Sequence, residues 1–181
     1  MSVWFVIDLH HWDTWIFYGR SMEKKSGFAV GVITLTKNFS KTTNDVWETP
    51  IQIFEFAKAY FQVYPKLDVA STHENSLCEF HFTEREDGLK QTWFKDVWMN
   101  PPYSKASKWI QKASEENKKN NINIIALLNV TTDTHAWHDH ILGNKTEICF
   151  LEGRVRFNRH GIPAKHPSQH PSCLVCWRKF I

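Results

Sequence analysis

The run Asp96-Val97-Trp98-Met99-Asn100-Pro101-Pro102-Tyr103-Ser104 decides how the rest of the chain is read. Its first four residues form a strand candidate, and the two prolines that follow stop it, because proline has no amide hydrogen to give to a ladder. Ser104 is suited to cap a helix that carries Ala106, Trp109, Ile110 and Ala113 on one face. That helix ends in a polar, charged tract from Glu115 to Asn121. Ile122–Val130 is then a nearly unbroken apolar run, as in a strand buried on both faces.

Working outward, Leu67-Asp68-Val69-Ala70 is a short strand candidate, and Leu77–Thr83 alternates apolar and polar residues as an extended segment does. Upstream, Thr49-Pro50-Ile51-Gln52 reads as a helix start. Thr49 would be the N-cap, Pro50 the first helical residue and Gln52 the partner of a capping box. Ile53, Ala57, Tyr60 and Phe61 recur at helical spacing, and Pro65 ends the element. Downstream, a short helix is expected around Thr134–Leu142, then strands at Ile148–Leu151 and Cys173–Trp177, with a turn-rich stretch from Gly153 between them. This alternation argues for an α/β fold with a mostly parallel sheet and a C-terminal antiparallel hairpin. Ligands in such sheets bind beyond the carboxyl ends of strands, where Asp68 and Asn100 both fall.

The chain has 181 residues, 42% hydrophobic and 23% charged, which suits one globular domain rather than a disordered chain. Residues 1–45 are aromatic-rich at the start and form an N-terminal extension; residues 46–181 form the main domain. The net charge of +3 is unevenly spread. From Lys145 onward there are seven Lys/Arg and two Glu, a local +5, so the remainder carries −2. A positive face of this kind favours a phosphate backbone. No apolar run approaches the ~18 residues of a membrane helix. Asp8 interrupts the short apolar start, which argues against a signal peptide. Four cysteines (78, 149, 173, 176) are too few for a secreted disulfide scaffold, so a reducing cytoplasm is expected.

The chemistry concentrates in Asn100-Pro101-Pro102-Tyr103. Two prolines stiffen the turn, while the carbonyls around them and the Asn100 amide oxygen remain acceptors. Such a turn can hold a planar amine by both hydrogens and aim its lone pair at an incoming methyl group, with Tyr103 as a stacking face. The histidines and cysteines of His166-x3-His170-x2-Cys173-x2-Cys176 suggest zinc spacing. If Cys173–Trp177 is a strand, however, residues three apart point to opposite faces, and no metal site is expected.

Asn-Pro-Pro-Tyr after a strand resembles the catalytic motif of amino-methyltransferases that use S-adenosylmethionine. Five further segments narrow the resemblance to the phage-type Dam family of DNA adenine methyltransferases. They are Trp47-Glu48-Thr49-Pro50, Leu67-Asp68-Val69-Ala70-Ser71, Asn75-Ser76-Leu77-Cys78, Thr132-Asp133-Thr134 and Gly153-Arg154-Val155-Arg156-Phe157. The resemblance implies a compact, Rossmann-like, S-adenosyl-L-methionine-dependent enzyme that methylates the N6 amine of a flipped adenine in double-stranded DNA. It also implies phage or prophage origin, a monomer, and a place in restriction-modification. Asn100, Pro101, Pro102 and Tyr103 would form the catalytic tetrad. Trp47, Thr49, Pro50, Asp68 and Ser71 would hold the cofactor, and Arg154 and Arg156 would contact DNA phosphates. The segment after Asp68 departs from many methyltransferases in having no glycine.

Plainer readings stand beside these. Asp68 could cap a following helix, Trp47 could be a core aromatic, and Asn75 and Cys78 could be structural. The alternative functions are methylation of RNA or a protein glutamine, and a zinc-stabilised nucleic-acid-binding module without catalysis.

Overall fold

The computed structural model describes residues 47–180. The expectations for residues 1–45 fall outside that span. The described elements are α1 (Ile51–Phe61), β1 (Leu67–Asp68), β2 (Phe80–His81), β3 (Val97–Met99), α2 (Ala106–Asn120), β4 (Ile124–Asn129), α3 (His135–Trp137), β5 (Thr146–Phe150), β6 (Asn158–Arg159), β7 (Ile162–Pro163) and β8 (Ser172–Trp177). A 3-10 turn at Tyr103–Lys105 precedes α2, and a π-type turn at His138–Leu142 extends α3.

Six strands form one sheet in the order β2-β1-β3-β4-β8-β5. The first four run parallel, and β8 is antiparallel to both of its neighbours. The mostly parallel sheet with an antiparallel C-terminal pair is as expected. The last strand does not lie at the edge, however; it inserts between β4 and β5.

Period-two alternation of apolar side chains builds a three-layer core. Ile124, Ala126 and Leu128 of β4 face Trp109, Ile110 and Ala113 of α2 and Trp137 of α3. Ile125 and Leu127 face the other way, toward Ile53, Phe54, Ala57 and Phe61 of α1. Cys173 belongs to the first layer and Cys176 to the second, so the two thiols cannot reach one ion.

Two helix starts differ from expectation. Pro50 has ψ 133 and is itself the cap of α1, with no side-chain cap bond. Thr49 therefore lies one residue too early to cap, and its buried hydroxyl has no hydrogen-bond partner. The capping box does not form, because an extended Pro50 turns the chain away from the helix axis. In α2, Lys105 rather than Ser104 occupies the cap position. The Pro102 carbonyl accepts from the Lys105 amide at 3.0 Å, which tightens Tyr103–Lys105 into a 3-10 turn and delays the α-helix. Helix α1 ends at Phe61, with Gln62 left-handed, ahead of Pro65.

Gly88 packs its backbone against the segment after β1. A Cβ there would strike the Val69 carbonyl oxygen and come within 2.9 Å of the Trp109 ring. Gly88→Ala is expected to destabilise the fold by about 3 kcal/mol, as overpacking does. Urea unfolding would check this.

Candidate active site

Strands β1 and β3 are parallel neighbours with Asp68 opposite Trp98. Their carboxyl ends therefore bring Asp68 and Asn100 to one edge of the sheet. Between them opens a small cleft. Its walls include Trp47, Thr49, Asp68, Ser71 and Asn100, five of the residues picked from the sequence. Glu48, Ala70, Asn75, Leu77 and Trp98 complete it. Glu48 was within reach of a sequence reading, since it lies inside the quoted Trp47–Pro50 motif. Leu77 lies likewise inside the quoted Asn75–Cys78 motif, whereas Trp98 reads as an ordinary strand residue.

Asp68 is 3% exposed. One carboxylate oxygen accepts from the Ala70 amide at 3.3 Å and the other from the Leu77 amide at 3.2 Å. These bonds fold the chain back after β1 and hold the carboxylate in the cleft wall. No helix follows β1 directly, so the helix-capping reading of Asp68 does not apply. Burial pushes its carboxyl up to about 6, against the two amides, which favour the charged form. Burial first, and the nearby Asp68 second, push the half-buried Cys78 thiol up to about 12. Asn75 also has a structural job, accepting from the Thr72 amide at 2.7 Å.

Asn100 is oriented by the segment before α1. Its Nδ2 donates to the Trp47 carbonyl at 2.8 Å. With Nδ2 so committed, the other end of the amide is Oδ1, an acceptor only. Pro101 is buried and Pro102 half-buried. Tyr103 lies outside the cleft wall and packs edge-on against Phe157, ring centres 5.9 Å apart at 67°. Its hydroxyl is buried without a hydrogen-bond partner, and burial pushes its ionisation above the ordinary range. Trp47 packs on the same Phe157 at 6.3 Å, so it is both a core contact and part of the cleft.

Pro50 is half-buried at the start of α1 and is not among the cleft walls. Arg154 and Arg156 flank buried Val155. Arg156 is exposed, whereas Arg154 is half-buried, with its Nε shielded and unpartnered.

A mostly parallel sheet with a carboxylate and an Asn-Pro-Pro-Tyr turn at adjacent strand ends has the architecture of an α/β methyltransferase. The chain belongs to the DNA N-6-adenine-methyltransferase (Dam) family, whose family model matches residues 36–181. A DNA N-6-adenine-methyltransferase of Escherichia phage T1 is 33% identical over 117 residues, covering 64% of this chain and 48% of that protein. One of Haemophilus phage HP1 is 30% identical over 122 residues, covering 66% of this chain and 70% of that protein. The chain thus spans about half the length of the phage T1 relative.

Proposed function

We propose that the protein transfers a methyl group from S-adenosyl-L-methionine to the exocyclic N6 amine of an adenine flipped out of double-stranded DNA. The observation that carries this reading is the tethered Asn100 amide beside Asp68 in a single cleft. Family membership supports it.

The cleft residues fit the cofactor. Thr49 Oγ1 and Ser71 Oγ are buried in its wall without hydrogen-bond partners, and the Asp68 carboxylate is an acceptor. Ribose hydroxyls and an amino group would satisfy such atoms, and Trp47 and Leu77 would pack on an apolar ring. The cleft is small and open to solvent, so the described walls would surround only part of the molecule. When bound, S-adenosylmethionine supplies an electrophilic methyl group on a sulfonium.

Asn100 Oδ1 and the Pro101 carbonyl would accept the two hydrogens of the adenine amine. Both acceptors together turn the nitrogen lone pair out of the ring plane toward the methyl group. Held by both hydrogens, the amine would be set to take the methyl group that the bound donor supplies, and the surplus N6 proton would leave to solvent. Tyr103, packed edge-on against Phe157, would offer one face to the base. Flipping the base out of the duplex costs a few kcal/mol, which these contacts must offset. The exposed Arg156, with Arg154, would hold the phosphates.

We take the protein to act as a monomer, and to act in the bacterial cytoplasm, where a gene product of phage kin would meet DNA. Among the described residues, no helix is long and apolar enough to cross a membrane.

The test is methyl transfer from labelled S-adenosylmethionine to unmethylated duplex DNA, with mass analysis of the product nucleosides. N6-methyladenine is the expected product. Label in RNA or in protein glutamine, with none in DNA, would reassign the substrate while leaving the chemistry of the turn in place.

A further inference from the structure

We propose that Glu48 is a positioning residue that locks a DNA-engaging hairpin to the catalytic Asn100. This rests on the methyltransferase reading above and names a part of it that neither the family nor the motif assigns.

Strands β6 and β7 form a separate two-stranded ribbon, with Arg159 opposite Ile162. His160 and Gly161 make its two-residue turn, with φ values of 52 and 73. Positive φ at both central positions is the turn geometry that matches strand twist. A ribbon of two residues per strand has no independent stability in water. Glu48 supplies what it lacks. Its amide donates to the Asn158 carbonyl at 3.0 Å, and its carbonyl accepts from the Asn158 amide at 2.9 Å. Its carboxylate then accepts from the His160 amide at 2.8 Å and the Gly161 amide at 2.9 Å, one oxygen to each. Bonds from amides to a charged acceptor are the stronger kind.

The residue before Glu48 holds the other end. The Trp47 carbonyl accepts from Asn100 Nδ2, and the Trp47 ring packs on Phe157, the residue that leads into β6. Tyr103 packs on Phe157 as well. Hairpin, strap and tetrad are therefore joined twice: Glu48–Trp47 leads to Asn100, and Phe157 leads to Tyr103. Moving the hairpin must move the amide that orients the base.

The outer side of the hairpin suits a duplex. Residues 153–170 contain four Lys/Arg (154, 156, 159 and 165) and no Asp or Glu. Arg159 and His160 are exposed, and Ile162 is 69% exposed beside them. Cationic side chains around one apolar side chain match a phosphate backbone flanking stacked bases. Docking on the duplex and orientation of Asn100 then become one event.

The test compares wild type with Glu48→Ala, Glu48→Gln and the double variant Arg159→Gln/Ile162→Ser. For each, kcat and the KM for unmethylated duplex are measured, with the Kd for S-adenosylmethionine by calorimetry and the thermal midpoint. Wild-type methylation of DNA tests the proposed function itself, before any variant is read. Glu48→Ala is expected to lower kcat and raise the duplex KM, each at least tenfold and each by a larger factor than any rise in the cofactor Kd. Glu48→Gln, which keeps one acceptor oxygen, should fall between. The hairpin double variant should raise the duplex KM at least tenfold. The proposal is overturned if a folded Glu48→Ala has wild-type kcat and duplex KM. A weakened cofactor Kd with unchanged duplex KM also overturns it, because Glu48 would then be a cofactor ligand. An unchanged duplex KM in the double variant does the same for the hairpin. Should Glu48→Ala not fold, Glu48→Gln decides by the same criteria.

Discussion

Asn100→Ala is expected to reduce methyl transfer to DNA by about a thousandfold while the protein stays folded. The argument is geometric. The adenine amine is a weak nucleophile because its lone pair is shared with the ring. Two acceptors must draw its hydrogens aside before that pair can point at the methyl group. In the proposed mechanism Asn100 would supply one of them, and loss of one preorganised hydrogen-bonding group in an active site costs about 10²–10³ in kcat. Loss of the tether to the Trp47 carbonyl adds misalignment. Fold stability should fall by only about 1 kcal/mol, the net value of one hydrogen bond. Asn100→Asp separates the two contributions. It keeps an acceptor but cannot donate to Trp47, so its rate should lie between wild type and alanine. Single-turnover methyl transfer with saturating cofactor, alongside urea unfolding, would measure both. A fully active Asn100→Ala would remove the tetrad from the mechanism.

Asp68→Asn is expected to separate cofactor binding from stability. A hydrogen bond to a charged acceptor contributes about 1.5–3 kcal/mol, so the cofactor Kd should rise roughly 10- to 100-fold. Stability should move the other way or hardly at all. Burial raises the folded-state carboxyl from 3.8 to about 6, so the native state favours the neutral acid. The contribution of Asp68 to stability is fully present below 3.8 and is lost as pH rises through about 6. At pH 7.5 the native state therefore carries a cost of roughly 3 kcal/mol, which asparagine does not. The amide of Leu77 would lose its acceptor in exchange, at about 1–3 kcal/mol. Asp68→Asn should thus compare better with wild type at pH 7.5 than at pH 5, as read by urea unfolding at the two values. Cofactor binding to wild type should follow the same ionisation in the opposite sense. Below about pH 6 the acid form accumulates, and the Kd should rise about tenfold per pH unit in calorimetry. A pH-independent Kd would mean that Asp68 does not touch the cofactor.

Much of this was legible along the chain. The apolar run Ile124–Leu128, the helix bearing Trp109, Ile110 and Ala113, and the strand ending at Met99 all announce themselves by periodicity. The placement of Asp68 and Asn100 at strand ends needed no coordinates. Helix caps were harder. Thr49 and Ser104 are good capping residues by type, yet the backbone of Pro50 and the 3-10 turn after Pro102 moved both helix starts. The displaced Thr49 is instead part of the cleft wall, with its hydroxyl buried and unpartnered.

The sequence by itself determined the α/β class and the tetrad, because alternation and contiguous motifs are properties of neighbouring residues. It also separated Cys173 from Cys176, since strand alternation alone sends residues three apart to opposite faces. Only the tertiary structure decided that β8 inserts between β4 and β5, and that Glu48 grips a turn 112 residues away. Both depend on backbone amides and carbonyls meeting across the fold. Those groups are common to almost every residue, so the pairing leaves little trace in side-chain chemistry.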